Sequence, residues 1–311
     1  MLVSLLPALA LLASPALGAP TPRGSSNSSG PVGPQSSCGT EIYGAYWRTW
    51  NDAATGFQGK EARMDSLPKG TDVALVFEAE GAEDTPYYSV LRDEYVPKLH
   101  AQGTLLARSI GTEGLRAIQA PADGNYDKIA QDLIAKFVTP WGLDGLDFDI
   151  EERIDGEEAE HFSKIFHALS KYLGPKGKEG TLLIYDTNQD ADRFFPLIAD
   201  VVSFVFLQAY GRDVGRLQST WDTFSPYIDS CRFVPGFSFY EEQGTNGWHD
   251  TERPLNTSRA LAYAEWQPEG GKKGGVFGYA ADRDWKADGD DTISAPTYEV
   301  AHAIFHVQSK E

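Results

Sequence analysis

The chain has 311 residues, of which 41% are hydrophobic, enough for one large hydrophobic core or two modest ones. Its 27 Lys and Arg residues face 45 Asp and Glu residues, which gives a formal net charge of -18. Because this charge would repel phosphates and anionic lipids, we expect neither nucleic acid nor membrane as a partner.

The first 18 residues, MLVSLLPALALLASPALG, form an apolar run that ends in small residues, as secretory signal peptides do. The basic residue that usually precedes such a run is missing. A membrane anchor is the alternative, but Pro7 and Pro15 interrupt a run already short for a hydrocarbon layer about 30 Å thick. We therefore predict a signal peptide over residues 1–18 and an extracellular protein.

Residues 19–40 are rich in Pro, Gly and Ser, a composition that predicts a linker or a short propeptide. Acceptor sequons for N-glycosylation begin at Asn27 and Asn256, and they can be used only if the chain is secreted.

Residues 41–311 alternate strand-like and helix-like patterns. The strand patterns cover 41–47, 72–80, 104–111, 143–151, 181–186, 201–210, 232–240 and 274–282, and helical patterns lie between them, for example at 88–102, 126–138, 157–173 and 257–266, with a last one at 296–308. Eight strands, each followed by a helix, in about 250 residues predict one α/β domain, a single (β/α)8 TIM barrel. A doubly wound sheet is the alternative, but the first strand runs into GAYWRTWND and not into a glycine-rich phosphate loop.

The fourth strand pattern, LDGLDFDIE, places carboxylates at every second position. Since helices cover the outside of such a barrel, Asp147, Asp149 and Glu151 should line its interior. They would climb toward the C-terminal mouth in steps of about 7 Å, and crowding favours a proton on at least one of them. A solvated acidic stretch, continued by RIDGEEAE, is the alternative, but a solvated strand has no place among covered ones.

This strand resembles the DGxDxDxE motif that family 18 of the glycoside hydrolases carries on its fourth strand. The motif positions are Asp144, Gly145, Asp147, Asp149 and Glu151. Residues 109–112, SIGT, are similar to the family's SxGG motif, with Thr112 in place of the second glycine. The resemblance implies that Glu151 protonates the glycosidic oxygen and that Asp149 orients the 2-acetamido group. The acetamido oxygen then attacks the anomeric carbon and forms an oxazolinium ion, a route that needs no second carboxylate across the sugar.

The family contains chitinases, endo-β-N-acetylglucosaminidases that act on N-glycans, and lectin-like members that have lost the acid. Glu151 is present, which disfavours a lectin. Gln208 and Tyr210 share one face of strand six, and the resemblance implies that Tyr210 hydrogen-bonds the acetamido carbonyl. Tyr279 stands where chitinases place a tryptophan beneath the scissile sugar.

The whole chain looks like the secreted endo-β-N-acetylglucosaminidases of filamentous fungi. We therefore expect a monomeric enzyme without a cofactor that acts on the N-glycans of glycoproteins. A secreted chitinase acting on chitin oligosaccharides is the alternative.

Several other residues are weaker candidates for a role in the site. The aromatic residues that could stack on sugars are Trp47, Tyr185, Tyr240, Trp248, Tyr279 and Trp285, although about half of such rings should only pack loops. His302 and His306 have a zinc-like spacing but lack the Glu of HExxH, so we predict no metal site. Cys38 and Cys231 precede strands one and seven at the bottom rim, where a disulfide would form if their Cα atoms lie about 4.4–6.8 Å apart.

Overall fold

The computed structural model describes residues 39–56, 60–78, 85–191 and 193–309. Eight parallel strands pair in chain order and close into a barrel, with β8 hydrogen-bonded to β1. The strands are β1 (Ile42–Arg48), β2 (Val73–Phe77), β3 (Leu105–Gly111), β4 (Gly145–Asp149), β5 (Leu182–Thr187), β6 (Phe204–Gln208), β7 (Phe233–Ser238) and β8 (Gly275–Tyr279). The predicted (β/α)8 barrel is confirmed.

Helices pack around the barrel, but not after every strand. They are α1 (Pro86–Val90), α2 (Val96–Gln102), α3 (Thr112–Arg116), α4 (Tyr126–Phe137), α5 (Gly156–Leu169), α6 (Leu217–Phe224), α7 (Arg259–Glu265) and α8 (Glu299–Val307), with a π-helical turn, Leu91–Tyr95, joining α1 to α2. Among the described residues, the β1–β2 and β5–β6 connections contain only short 3₁₀ turns. The expectation of a helix after each strand is wrong at these two places, whereas α6 is the helix expected after strand six. None of the described helices is long and apolar enough to cross a bilayer.

The two connections without a helix still cover the barrel. Buried apolar side chains do so directly, such as Met64 in the first connection and Phe195 in the second. A connection between two strands has to bury the outer face of the barrel. An irregular segment with enough apolar residues can do this as well as a helix.

Successive side chains of β4 point alternately to the outer hydrophobic layer and to the barrel interior. Leu146, Phe148 and Ile150 are buried in the outer layer, where the ring of Phe148 lies 4.7 Å from that of Phe166 on α5. Asp147 points into the barrel and is fully buried. The predicted division of this strand into an apolar outer face and an acidic inner face is confirmed.

The first two positions of the motif hold β4 in register. The Asp144 carboxylate accepts a hydrogen bond of 2.8 Å from the backbone N–H of Leu106 on β3, and the backbone N–H of Asp144 donates to the Leu106 carbonyl. The Asp144 carboxylate also hydrogen-bonds His100, whose pKa it raises. A side chain at Gly145 would lie 2.7 Å from the carbonyl carbon of Leu182, so only glycine lets β5 approach. These residues therefore fix the height at which the following carboxylates enter the barrel.

Candidate active site

Asp147 is the deepest carboxyl of the motif. Its Oδ2 atom accepts hydrogen bonds of 2.8 Å from the hydroxyls of Ser109 on β3 and Tyr46 on β1. Burial raises the pKa of Asp147 to about 7, against these two donors and the positive charge of Arg108. Its Oδ1 atom has no hydrogen-bonding partner within the described part of the chain. Burial therefore opposes the ionisation of Asp147, whereas the two hydroxyls and Arg108 favour it.

One level higher, the amide of Gln208 gathers three carboxyl groups. Its Nε2 atom lies 2.8 Å from Asp149 Oδ1, 2.8 Å from Asp186 Oδ1 and 3.0 Å from Glu151 Oε1. Burial, followed by the charges of Glu151 and Asp147, raises the pKa of Asp149 well above its ordinary value. Burial and the neighbouring Asp149 and Asp147 likewise raise the pKa of Asp186. The site thus holds more carboxyl groups than can all be ionised together.

Glu151 lies just beyond the end of β4 and is exposed to the cleft. The Thr112 hydroxyl bridges the strand end, because it donates to the Asp149 carbonyl and accepts from the Glu151 backbone N–H, each at 3.3 Å. The Gln189 side chain donates to the Glu151 carbonyl at 3.1 Å. Thr112 therefore steadies the backbone that carries Asp149 and Glu151.

A cleft of about 530 Å³ opens at the C-terminal ends of the strands. It is lined by Tyr46, Phe77, Asp149, Glu151, Asn188, Gln189, Gln208, Tyr210, Arg212, Asn246, Trp248 and Tyr279. The rings of Tyr210 and Tyr279 lie 6.0 Å apart at 28°, and Trp248, 51% exposed, forms part of the rim. The structure therefore brings six of the predicted site residues to one cavity, with Asp147 directly beneath it.

A buried ionic cluster holds Tyr279 in place. The guanidinium of Arg48, at the end of β1, lies 2.7 Å from Glu241, 2.8 Å from Glu242 and 2.5 Å from Asp282. The same Glu241 oxygen accepts a hydrogen bond of 3.3 Å from the Tyr279 hydroxyl. This cluster ties β1 to the loops after β7 and β8, so it fixes the ring at one side of the cleft.

Two predicted sugar-stacking residues lie on the wrong face of the barrel. Trp47 is fully buried in the outer layer, and its indole N–H donates to Asp52 at 2.9 Å. Tyr185 packs in the same layer, with its ring stacked 5.6 Å from Phe195. These positions contradict the prediction that the two rings contact substrate, because their inward neighbours, Tyr46 and Asp186, face the site instead.

Tyr240 and Trp285 follow strand ends but do not line the cleft. The Tyr240 hydroxyl donates to Asp291 at 3.0 Å, and the Arg253 guanidinium covers the Trp285 ring at 4.2 Å. Any contact of these two residues with a longer substrate stays a prediction.

The remaining predicted residues lie away from the cleft. Cys231 lies in a 3₁₀ turn before β7, whereas Cys38 and Asn27 fall outside the described residues, so the disulfide stays a prediction. His302 and His306 are exposed on α8, and no group of three or more His, Cys, Asp or Glu in the described residues could hold a metal ion.

Comparison with known families places this cleft in context. The model of the endo-beta-N-acetylglucosaminidase EndoS TIM-barrel domain matches residues 45–278, a range that contains Asp147, Asp149, Glu151, Gln208 and Tyr210. The chain belongs to this family.

Other endo-β-N-acetylglucosaminidases share most of the barrel. Endo-beta-N-acetylglucosaminidase F2 from Elizabethkingia meningoseptica is 39% identical over 275 residues, which cover 86% of this chain and 82% of that protein. EndoSd from Streptococcus dysgalactiae is 35% identical over 84% of this chain, which spans 35% of the longer relative. A crystal structure from Cordyceps militaris has a TM-score of 0.81 and 38% identity, covering 87% of this chain and 91% of that one. That protein carries an Asp-to-Asn and a Glu-to-Gln substitution two positions apart and is bound to fucosyl-N-acetylglucosamine-Asn.

Proposed function

We propose that this endo-β-N-acetylglucosaminidase hydrolyses the β-1,4 bond between the two core N-acetylglucosamines of N-glycans, as a member of glycoside hydrolase family 18. One observation carries the proposal. Among the described residues that line the cleft, the only carboxylates are Asp149 and Glu151, and both contact the same Gln208 amide. None of the described residues places an acid across the cleft from them, and this supports a nucleophile supplied by the 2-acetamido group of the substrate.

In this mechanism Glu151 donates its proton to the glycosidic oxygen as the bond to the anomeric carbon breaks. The acetamido oxygen forms a new bond to the same carbon, and Asp149 accepts the acetamido N–H and stabilises the oxazolinium charge. The Tyr210 hydroxyl hydrogen-bonds the acetamido oxygen and orients it. Water then attacks the anomeric carbon and gives a proton to Glu151. This attack breaks the bond between the anomeric carbon and the acetamido oxygen and so opens the oxazolinium ring. Two displacements leave the anomeric configuration unchanged.

The Cordyceps structure supports both the residues and the substrate. Its two substituted acids have the spacing of Asp149 and Glu151, and its ligand is the sugar-asparagine stub that the proposed cleavage would leave. We therefore include core-fucosylated N-glycans among the proposed substrates.

The stereochemistry of the first product tests this mechanism. Proton NMR during hydrolysis of a fluorescently labelled N-glycopeptide should show the β-anomer of the released glycan first, with the α-anomer growing only by mutarotation. Initial formation of the α-anomer would contradict the substrate-assisted route.

We also propose that the enzyme is a secreted, monomeric glycoprotein with a Cys38–Cys231 disulfide. Asn256 is exposed in the turn Leu255–Thr257. The Cys231 carbonyl would lie 2.6 Å from a side chain at Gly274, whose own carbonyl accepts the Ile42 N–H. Cys231 therefore lies near the start of β1, and in the sequence β1 begins four residues after Cys38.

Expression from the full-length gene in a secreting eukaryotic host tests these points. N-terminal sequencing should show removal of residues 1–18, and peptide mapping without reductant should recover the linked cysteine peptides. An intact N-terminus, or two alkylated cysteines in the secreted protein, would contradict the respective point.

A further inference from the structure

Asp186 is a buried carboxyl at the end of β5 that the steps above do not use. Its Oδ2 atom lies 2.7 Å from the Tyr46 hydroxyl oxygen, which is also 2.8 Å from Asp147 Oδ2. A phenol has one hydrogen and can donate to only one of these oxygens. Both distances are those of hydrogen bonds, so the second contact requires a proton on one of the two carboxyl groups.

The surroundings of the two acids decide which one carries that proton. The Oδ2 atom of Asp147 also accepts from Ser109, and an ionised oxygen accepts two donors better than a protonated one does. The guanidinium of Arg108 further favours the charged form of Asp147. Around Asp186 the neighbouring titratable groups are acids and phenols: Tyr46 from β1, Asp147 and Asp149 from β4, Glu151 beyond β4, and Tyr210 after β6.

These contacts form a directed chain in which Asp186 donates to Tyr46 and Tyr46 donates to Asp147. The other oxygen of Asp186 accepts from Gln208, at the same nitrogen that contacts Asp149. A neutral Asp186 can therefore fix the Gln208 amide without adding a further negative charge beside Asp149.

We propose that Asp186 is a positioning residue that remains protonated in the working enzyme and holds Gln208 and Tyr46 against the catalytic carboxyl groups. This role rests on the proposed function, because it concerns how Asp149 is kept oriented and able to ionise for the acetamido group.

Two substitutions separate positioning from charge. Asp186→Ala removes the acceptor for Gln208 and the donor to Tyr46, and we expect kcat to fall on the order of 100-fold with a smaller change in KM. Asp186→Asn offers a carbonyl oxygen to Gln208 and an N–H to Tyr46, as the neutral acid does, so it should recover kcat to within about tenfold of wild type. Circular dichroism and thermal unfolding check that both variants are folded.

Asp147→Asn is the matched variant, because it removes the acid that we assign as ionised. It should be slower than Asp186→Asn. If Asp147→Asn retains more activity, or if Asp186→Asn is as slow as Asp186→Ala, the proton assignment is overturned.

A measurement without substrate makes the test independent of the proposed function. The infrared difference spectrum of wild type minus Asp186→Asn at neutral pH should show the C=O stretch of a protonated carboxylic acid. Carboxylate stretching bands in its place would overturn the proposal. Failure of the wild type to cleave N-glycans would instead contradict the proposed function and leave this spectrum unaffected.

Discussion

Gly211 follows Tyr210 in the loop after β6, and its replacement by alanine tests how the rim of the cleft is built. Its φ is +65°, and its backbone N–H donates to Asp250 at 3.0 Å. A Cβ at this position would lie 2.7 Å from Cζ3 of the Trp248 indole, and closer still to Cε3. Carbon atoms in ordinary contact are about 3.5–4.0 Å apart, so the indole would have to move by about 1 Å.

Gly211→Ala should therefore have two separable effects. Left-handed backbone costs a non-glycine residue about 1–2 kcal/mol, which for a domain of this size lowers Tm by about 2–8 °C. Displacing an aromatic ring from a stacked ligand costs about 0.5–1.5 kcal/mol, which predicts a rise in KM of about two- to tenfold with little change in kcat. Thermal unfolding and hydrolysis of a labelled N-glycopeptide measure the two effects.

Gly247→Ala is the matched control. Gly247 has a φ of +68° and no atom within 4 Å of an added Cβ. The Gly247→Ala enzyme should therefore lose a similar amount of stability but keep the KM of the wild type. A double mutant of Gly211→Ala with Trp248→Ala should show a smaller rise in KM than the sum of the single effects. Equal KM values for the two alanine variants would refute the idea that Gly211 seats the Trp248 ring against the substrate.

Further substitutions test the carboxyl groups and the ionic cluster. Glu151→Gln keeps the shape but not the proton and should abolish hydrolysis without lowering Tm; near-normal turnover would contradict its role as the acid. Asp149→Asn should lower kcat more than it raises KM, and a pure loss of affinity would contradict its role. Arg48→Met leaves three carboxylates without their cation and should lower the free energy of unfolding by about 3–5 kcal/mol in urea titrations, a loss below about 1 kcal/mol being contrary evidence. The pKa of Asp147 is about 7 in the folded protein and about 3.9 when unfolded. The neutral carboxyl group therefore stabilises the folded state fully below pH 4, and this contribution is lost, with a fall in Tm, as the pH rises through 7. Asp147→Asn should make Tm depend less on pH in this range. An unchanged pH dependence would argue against the raised pKa of Asp147.

The sequence alone was sufficient to predict β4, because its carboxylates and apolar residues alternate without exception. With one residue type on each face, the inner and outer sides of the strand follow directly from the pattern. The same reasoning placed Gln208 and Tyr210 on one side of strand six, and both line the cleft.

The first and fifth strands did not permit this assignment. IYGAYWR has aromatic rings on both faces, and the buried outer layer accepts Trp47 as readily as the cleft accepts Tyr46. Asp186 lies near the end of a strand whose other residues gave no periodic signal, and its pairing opposite Asp149 shows that it faces inward. Strand register, which is set by contacts distant in sequence, supplied what the local pattern lacked.

The central claim is tested most directly by parallel digestion of N-glycoproteins and chitin oligosaccharides, with mass analysis of both products. We predict that high-mannose and core-fucosylated glycoproteins lose their glycans and keep one N-acetylglucosamine, with its fucose where present, on each asparagine. The released glycans should end in a single N-acetylglucosamine. The Glu151→Gln variant should leave the glycans attached to both kinds of glycoprotein. Efficient degradation of chitin oligosaccharides by the wild-type enzyme, with the glycoproteins untouched, would contradict the account.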